Sequence, residues 1–307
     1  MNRLLHRILY RLLPLGGYLR AVSGLFFLFR RLGLGRHAAA TEYVYHLPQL
    51  VHQGDVCIDI GANLGYYARP IARLAGPAGR LYAVEPVAPV RRVLERNLRR
   101  CANAEILPYA LGAENRPIRM GNDSVRRNGY LGTGQHYVDE TAAADMTFEA
   151  AMRRGSELFA GLERLDFVKC DIEGYEPIVM NEMRPLLEKF RPTVLIETGG
   201  ENRPRIIALF RELGYAEYIL DCGREIPLGA DSPEKDIIFR PDRQPTVRAF
   251  RGWRCRYVAP TPHSTTYRVS RSPRALSRTH PIPLPQFGRF PTPAPKPPRP
   301  PRHPARY

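Results

Sequence analysis

Asp55-Val-Cys-Ile-Asp-Ile-Gly-Ala-Asn-Leu-Gly65 is the stretch on which the fold turns. Val56 to Ile60 is short, apolar and partly β-branched, the pattern of a buried parallel strand. An acid, Asp59, stands one residue before the strand ends, and the turn that follows carries Gly61 and Gly65. Glycine has no Cβ, so a turn of this kind lets a ligand approach the backbone closely. In open α/β sheets the crevice beyond the strand ends is where ligands sit.

A dinucleotide fingerprint would need G-x-G-x-x-G. Here the pattern is Asp-x-Gly-x-x-x-Gly, and the middle glycine is missing. A carboxylate ahead of the loop suits a cationic amino group better than a pyrophosphate, which points to S-adenosylmethionine (SAM). Arg80-Leu-Tyr-Ala-Val-Glu-Pro86 reads as the second strand, stopped by Pro86. Glu85 at its carboxyl end is placed to accept both ribose hydroxyls of a nucleoside, as an acid does in nucleotide-binding sheets.

Asp59-Ile-Gly-Ala-Asn-Leu-Gly-Tyr-Tyr67, Tyr82-Ala-Val-Glu-Pro86, Ala110-Leu-Gly112 and Lys169-Cys-Asp-Ile-Glu-Gly-Tyr-Glu176 together resemble the FkbM family of SAM-dependent methyltransferases. The likeness runs over roughly residues 45–240, with the four motifs in the family's order. It implies a class I SAM-methyltransferase (Rossmann-like) α/β fold: a mostly parallel seven-stranded sheet with helices on both faces. It also implies O-methylation of a hydroxyl on a sugar, glycan or secondary metabolite. The cofactor-binding residues are then Asp59, Gly61, Ala62, Asn63, Gly65 and Glu85, with Ala110 and Leu111 beside the adenine ring. The chain departs from the family pattern at Pro70, inside the first helix, and at Phe148-Glu149, where a Leu-Asp pair is usual.

The chain's net charge of +16 is unevenly spread. Residues 241–307 hold 14 Lys/Arg and one acid, and residues 1–40 hold seven Arg and no acid, so residues 41–240 carry −4. The basicity belongs to the ends, and says little about the domain between them. Five scattered cysteines with no metal-ligand spacing argue for a reducing, cytoplasmic setting rather than a disulfide framework. Three segments follow: a basic amphipathic helical segment (1–40), a methyltransferase domain (41–240) and a Pro/Arg-rich tail (241–307). The tail, with 16 of the 30 prolines, is expected to be disordered. Residues 1–36 lack an apolar run of the ~20 residues that span a bilayer. They read either as a helix lying on an anionic membrane surface or as one packed on the domain or on a second subunit.

Within the domain, Ile106 to Leu111 reads as the third strand. Residues 112–145 are an irregular excursion, read as a hairpin over the site with Tyr130, His136 and Tyr137 as its candidate contacts. A short helix capped by Asp145 or Thr147 follows. Leu165 to Cys170 and Thr193 to Glu197 are the fourth and fifth strands, and a hairpin of two strands closes the sheet.

Asp171, Glu173 and Glu176 crowd the end of the fourth strand. Methyl transfer to an alcohol needs a base for the hydroxyl proton, and carboxylates drawn together can have one pKa raised to suit that work. Asp171 and Glu173 are therefore the candidate catalytic residues, and Glu176 is assigned to the following helix's amino terminus. A divalent cation on these acids is a less favoured alternative, and no metal ligands are assigned. The Asn/Asp-Pro-Pro-aromatic turn of base methylation is absent, which disfavours a nucleic-acid substrate. A small-molecule or glycan hydroxyl is the expected acceptor. A non-catalytic SAM- or nucleotide-binding interaction module with a basic tail is the competing reading.

Overall fold

The computed structural model describes residues 3–36, 38–141, 143–230 and 232–242, all within one unit spanning residues 1–255. The tail assigned from the sequence lies outside the described residues after Asp242. Three helices come first: α1 (Arg3–Leu12), α2 (Leu15–Arg31) and α3 (Ala39–His46). β1 (Val56–Ile60), α4 (Ala68–Ala75), β2 (Arg80–Val84), α5 (Ala88–Leu98) and β3 (Ala104–Leu107) then alternate as the apolar periodicity predicts. Pro70 falls in the first turn of α4, where its missing N–H costs no helical hydrogen bond.

From there the chain leaves the pattern. Pro108 breaks the predicted third strand in two, and β4 (Tyr109–Leu111) belongs to a separate sheet. That sheet also contains β5 (Arg116–Asn122) and, after α6 (Ser124–Asn128), β6 (Tyr137–Val138) and β7 (Met146–Arg153). The helix expected from Asp145 or Thr147 to Arg154 is therefore a strand. Met146, Phe148, Ala150 and Met152 recur at every second position and pack with Ile118 and Met120, a strand period rather than a helical one. Phe148 and Glu149 lie in the β5–β7 ladder opposite Met120 and Arg119.

After α7 (Gly155–Leu158) the main sheet resumes with β8 (Phe167–Cys170). Next come α8 (Glu176–Glu182), α9 (Arg184–Phe190), β9 (Thr193–Glu197) and α10 (Asn202–Glu212). The last strands are β10 (Tyr215–Asp221), β11 (Arg224–Pro227) and β12 (Asp236–Pro241). The sheet has eight strands in the order β11-β10-β12-β9-β8-β1-β2-β3, one more than the sequence suggested. The addition is β11, an edge strand held through Glu225, which accepts Arg240 on both oxygens (2.6 Å each) and His46 Nε2 (2.8 Å). Burial works against that charge, but the hydrogen bonds from Arg240 and His46 hold the Glu225 carboxyl down to about 2.

β1 is parallel to both β2 and β8, so the chain runs outward through β2 and β3 and then returns to the other side of β1. That reversal is the topological switch point, and a crevice opens there beyond the strand ends. Helices cover both faces, and Cys57 and Cys170 are fully buried free thiols among the core side chains. α2 buries Tyr18, Leu19 and Val22 beside Val90 and Val93 of α5. Asn97 Nδ2 donates to Ser23 Oγ (2.6 Å) and Tyr18 Oη to the Leu131 carbonyl (2.9 Å). This face of α2 is packed on the sheet's helices. Among the described residues no helix is long and apolar enough to cross a membrane.

Candidate active site

Gly61, with φ +78°, turns the chain back over the end of β1. A Cβ there would lie 2.1 Å from the Asp171 carbonyl oxygen, so only glycine lets this turn meet the loop after β8. The Gly61 and Ala62 amides donate to the Val84 carbonyl (3.1 and 2.9 Å), which fastens the turn to β2. Asn63 follows in the left-handed region (φ 51°), a conformation asparagine tolerates better than most residues. Its N–H donates to Glu85 Oε2 (2.9 Å), while Glu85 Oε1 accepts the Val87 amide (2.8 Å). Glu85 thus straps the turn in place, and each of its oxygens keeps a second lone pair for a ligand hydroxyl. Burial raises its carboxyl to about 7 in spite of those two amides.

Gly61, Ala62, Asn63 and Glu85 are brought together at one crevice with Asp59 buried beneath them, whereas Gly65 faces Leu94 and Asn97 of α5 and Ala110 and Leu111 are not continuous with β3. They pair with Met152 and Arg153 in the second sheet, and Leu111 joins the core near Met183. The residue directly beside Glu85 is Leu107, whose carbonyl accepts the Glu85 amide (3.0 Å).

Across the crevice Lys169 is buried, with Nζ donating to Asp171 Oδ2 (2.9 Å) and lying 4.8 Å from the Tyr67 ring centre. Burial by itself would lower the lysine's pKa, but Asp171 and Asp59 overcome it and raise it above the ordinary value. Asp59, the β1 register partner of Lys169, is fully buried and neither carboxylate oxygen makes a hydrogen bond of ordinary geometry. Burial lifts its carboxyl to about 6; Lys169 opposes the effect, Asp171 adds to it, and the Ala68 amide at the start of α4 favours the charged form. Sealed beneath the turn, Asp59 acts on whatever lies above through its field. Glu197 and Asp236 face each other across β9 and β12. Burial and then Glu197 push Asp236 to about 7. The site is rich in negative charge and short of compensation, the electrostatic complement of a cationic ligand.

Glu173 completes the crevice. It too has a left-handed backbone (φ 55°), strain that is often retained where a side chain must be aimed. A Cβ on Gly134 would lie 3.8 Å from both Asn63 Nδ2 and Glu173 Oε1, so the 133–135 loop, the glycine turn and Glu173 border one space. Glu173 is exposed at the rim of the crevice; partial loss of water there, followed by the fields of Asp171, Glu197 and Glu176, raises its carboxyl to about 7. Glu176 is buried and structural, as expected: its Oε1 accepts the Ile172 and Gly174 amides (3.1 and 3.0 Å) and holds the loop that carries Glu173.

The excursion's candidate contacts are tied up in packing. His6 stacks on Tyr130, Tyr137 Oη donates to Asp123 Oδ2 (2.8 Å), and His136 Nδ1 donates to the Thr133 carbonyl (2.9 Å). Sequence reasoning assigned no role to Lys169 or Asp236. For Lys169 the signal was a cation inside the otherwise apolar Phe167-Val-Lys-Cys170; Asp236 gave none. Among the described residues no group of three or more His, Cys, Asp or Glu side chains is placed to hold a metal ion.

A profile of the Methyltransferase FkbM domain matches residues 59–216, half of the chain, from the β1 acid to the start of β10. Among curated proteins the chain is similar to the AMB antimetabolite synthetase AmbE of Pseudomonas aeruginosa, 29% identical over 190 residues. That alignment takes in 48% of this chain and 9% of the synthetase, so the chain spans only a small part of that relative's length. Among solved structures, a methyltransferase FkbM from Methylobacillus flagellatus aligns with TM-score 0.42 and 13% identity, over 62% of this chain and 44% of that one. A SAM-dependent O-methyltransferase from Thermotoga maritima gives 0.35 and 13%, over 68% and 67%. With the strand order, the glycine turn and the matched residues in agreement, the chain belongs to the FkbM methyltransferase domain family and has the class I SAM-methyltransferase fold.

Proposed function

We propose that this chain methylates a hydroxyl group of a small-molecule or glycan acceptor, using SAM, with Glu173 as the general base. The residues present fit that cofactor. Asp59 is a buried carboxylate whose oxygens make no hydrogen bond of ordinary geometry, Glu85 holds the turn and offers lone pairs to a ribose, and the surrounding acids suit a ligand bearing an ammonium and a sulfonium. When bound, SAM supplies an electrophilic methyl group. The protein's part is to hold an acceptor oxygen in line with that methyl and to take the hydroxyl proton as the new O–C bond forms.

The observation that carries the choice of base is the contrast between two neighbours. Asp171 is engaged by Lys169 at 2.9 Å, whereas Glu173, exposed at the crevice rim, makes no hydrogen bond or ion pair among the described residues, and the neighbouring acids raise its carboxyl. A base works best with a pKa near the working pH. Asp171, the first candidate on sequence grounds, then serves by fixing Lys169 and adding to the field on Glu173.

The test is production of S-adenosylhomocysteine by the full chain against a panel of alcohols, sugars and phenols. Glu173→Gln should cut turnover by about 10²–10⁴ with little change in SAM affinity, and wild-type activity should rise with pH through about 7. Undiminished turnover in Glu173→Gln would overturn the assignment. SAM binding without turnover on any acceptor would favour the non-catalytic reading. Loss of activity on adding a chelator, restored by Mg²⁺, would favour a metal on the acids.

A further inference from the structure

A second cavity, of about 450 Å³, lies between α2, the Leu34–Tyr45 segment, Tyr66 and the 131–133 loop. Small-molecule sites usually measure about 300–1,000 Å³. Its wall is mostly apolar and aromatic: Val22, Phe26, Phe29, Tyr45, Tyr66 and Leu131. Phe26 and Tyr66 pack with ring centres 4.2 Å apart. Phe29 and Leu34 line the cavity yet are 37% and 54% exposed, and Leu28 and Leu32 are exposed beside them, so the mouth is apolar as well. A space with such walls favours a hydrocarbon chain.

His6, Thr41 and Thr133 also line it, but Arg30 is the group that stands out. Arg30 lines the cavity, and its Nε is buried with no hydrogen-bond partner. Its guanidinium lies 5.9 Å from the Tyr45 ring centre, and that of Arg36 lies 5.6 Å from the same ring. Burial and then, after the opposing pull of Tyr45, the nearby Arg73 lower the pKa of Arg30, the mark of a cation surrounded by too little negative charge. An unsatisfied N–H of a charged group is costly, and an anion at this spot would relieve both the missing hydrogen bond and the repulsion.

We propose that this cavity holds the chain of an anionic amphiphile, an alkyl or isoprenyl chain ending in a phosphate or carboxylate, with its head group on Arg30. The site does not depend on methyl transfer, although Tyr66 joins it to the glycine turn one residue after Gly65. Binding can therefore be measured without SAM, and its failure leaves the catalytic reading untouched.

The test is calorimetry on the full chain with dodecyl phosphate, dodecyl maltoside and inorganic phosphate, each below micelle-forming concentrations. Dodecyl phosphate should bind saturably at one site, the neutral detergent at least about tenfold more weakly, and inorganic phosphate not measurably. Arg30→Gln should reduce dodecyl phosphate to the level of the neutral detergent. Phe29→Ser, at the exposed rim where folding is not at risk, should weaken both chains, and Val22→Phe should fill the cavity from its inner wall. Absence of saturable binding would overturn the proposal, as would binding that Arg30→Gln and Phe29→Ser both leave unchanged. Inorganic phosphate binding as tightly as dodecyl phosphate would also overturn it, by showing an anion site with no place for a chain.

Discussion

Replacing Asp59 with asparagine should remove a pH-dependent loss of stability while weakening the protein's hold on the cofactor. The Asp59 carboxyl is fully buried, makes no hydrogen bond of ordinary geometry, and is raised by burial to about 6 from 3.8 against the pull of Lys169 and the Ala68 amide. Between those two values the folded state keeps a proton that the unfolded chain has released. The stability that Asp59 contributes is therefore fully present below about pH 4 and is lost as the pH rises through about 6. A pKa raised by about two units corresponds to ~3 kcal/mol of destabilisation, fully developed by about pH 8. Asparagine keeps the shape and cannot ionise. Whatever fixed cost its amide incurs, the stability difference between variant and wild type should move by ~3 kcal/mol in the variant's favour from about pH 4 to about pH 8. Urea unfolding at several pH values measures this directly, provided the slopes stay equal. Calorimetry at about pH 8 should show SAM affinity reduced at least tenfold. A stability difference that does not change with pH would refute the picture of a buried acid whose ionisation burial opposes. Stabilisation with full SAM affinity would show that the charge serves something other than a cationic ligand.

Lys169→Met removes the cation that Asp59 and Asp171 share, and should cost ~3–5 kcal/mol near neutral pH. The loss should shrink below about pH 6, where Asp59 and Asp236 take up protons; a loss that is the same at every pH would count against the charge argument. Glu85→Ala leaves the Asn63 and Val87 amides without their acceptor and should weaken SAM binding more than about tenfold by calorimetry; unchanged affinity would separate Glu85 from the cofactor. Leu19→Ala, at a fully buried position of α2, should lower unfolding stability by ~2–5 kcal/mol. A negligible change would mean that α2 is not part of the cooperative fold.

The elements that make the fold were legible because their signals are local. Val56–Ile60 is apolar and bounded by turn residues, Pro86 stops β2, and Gly214 ends α10 with a positive φ that few other residues adopt. The candidate site was legible for the same reason, since Asp59, Glu85 and Asp171 each stand at the end of a strand that announces itself. The second sheet was not. β6 is only two residues long, β5 and β7 are polar on one face, and β4 hides behind Pro108 as the apparent end of another strand.

What the sequence determined by itself is most elements of the main sheet, their order, and which acids close which strands, because periodicity and turn chemistry act over a few residues. Tertiary structure alone decided which charges meet. Asp59, Lys169 and Asp236 lie far apart in the chain and come together only because β1, β8 and β12 assemble about the switch point. Their burial is what moves their proton affinities. The same holds for α2, whose arginines and phenylalanines suit a membrane surface or a packed helix equally well. Its contact with α5 and the 131–133 loop buries one face and encloses the cavity beside Arg30. Pairing and burial are properties of two segments at once, and no local pattern in either one contains them.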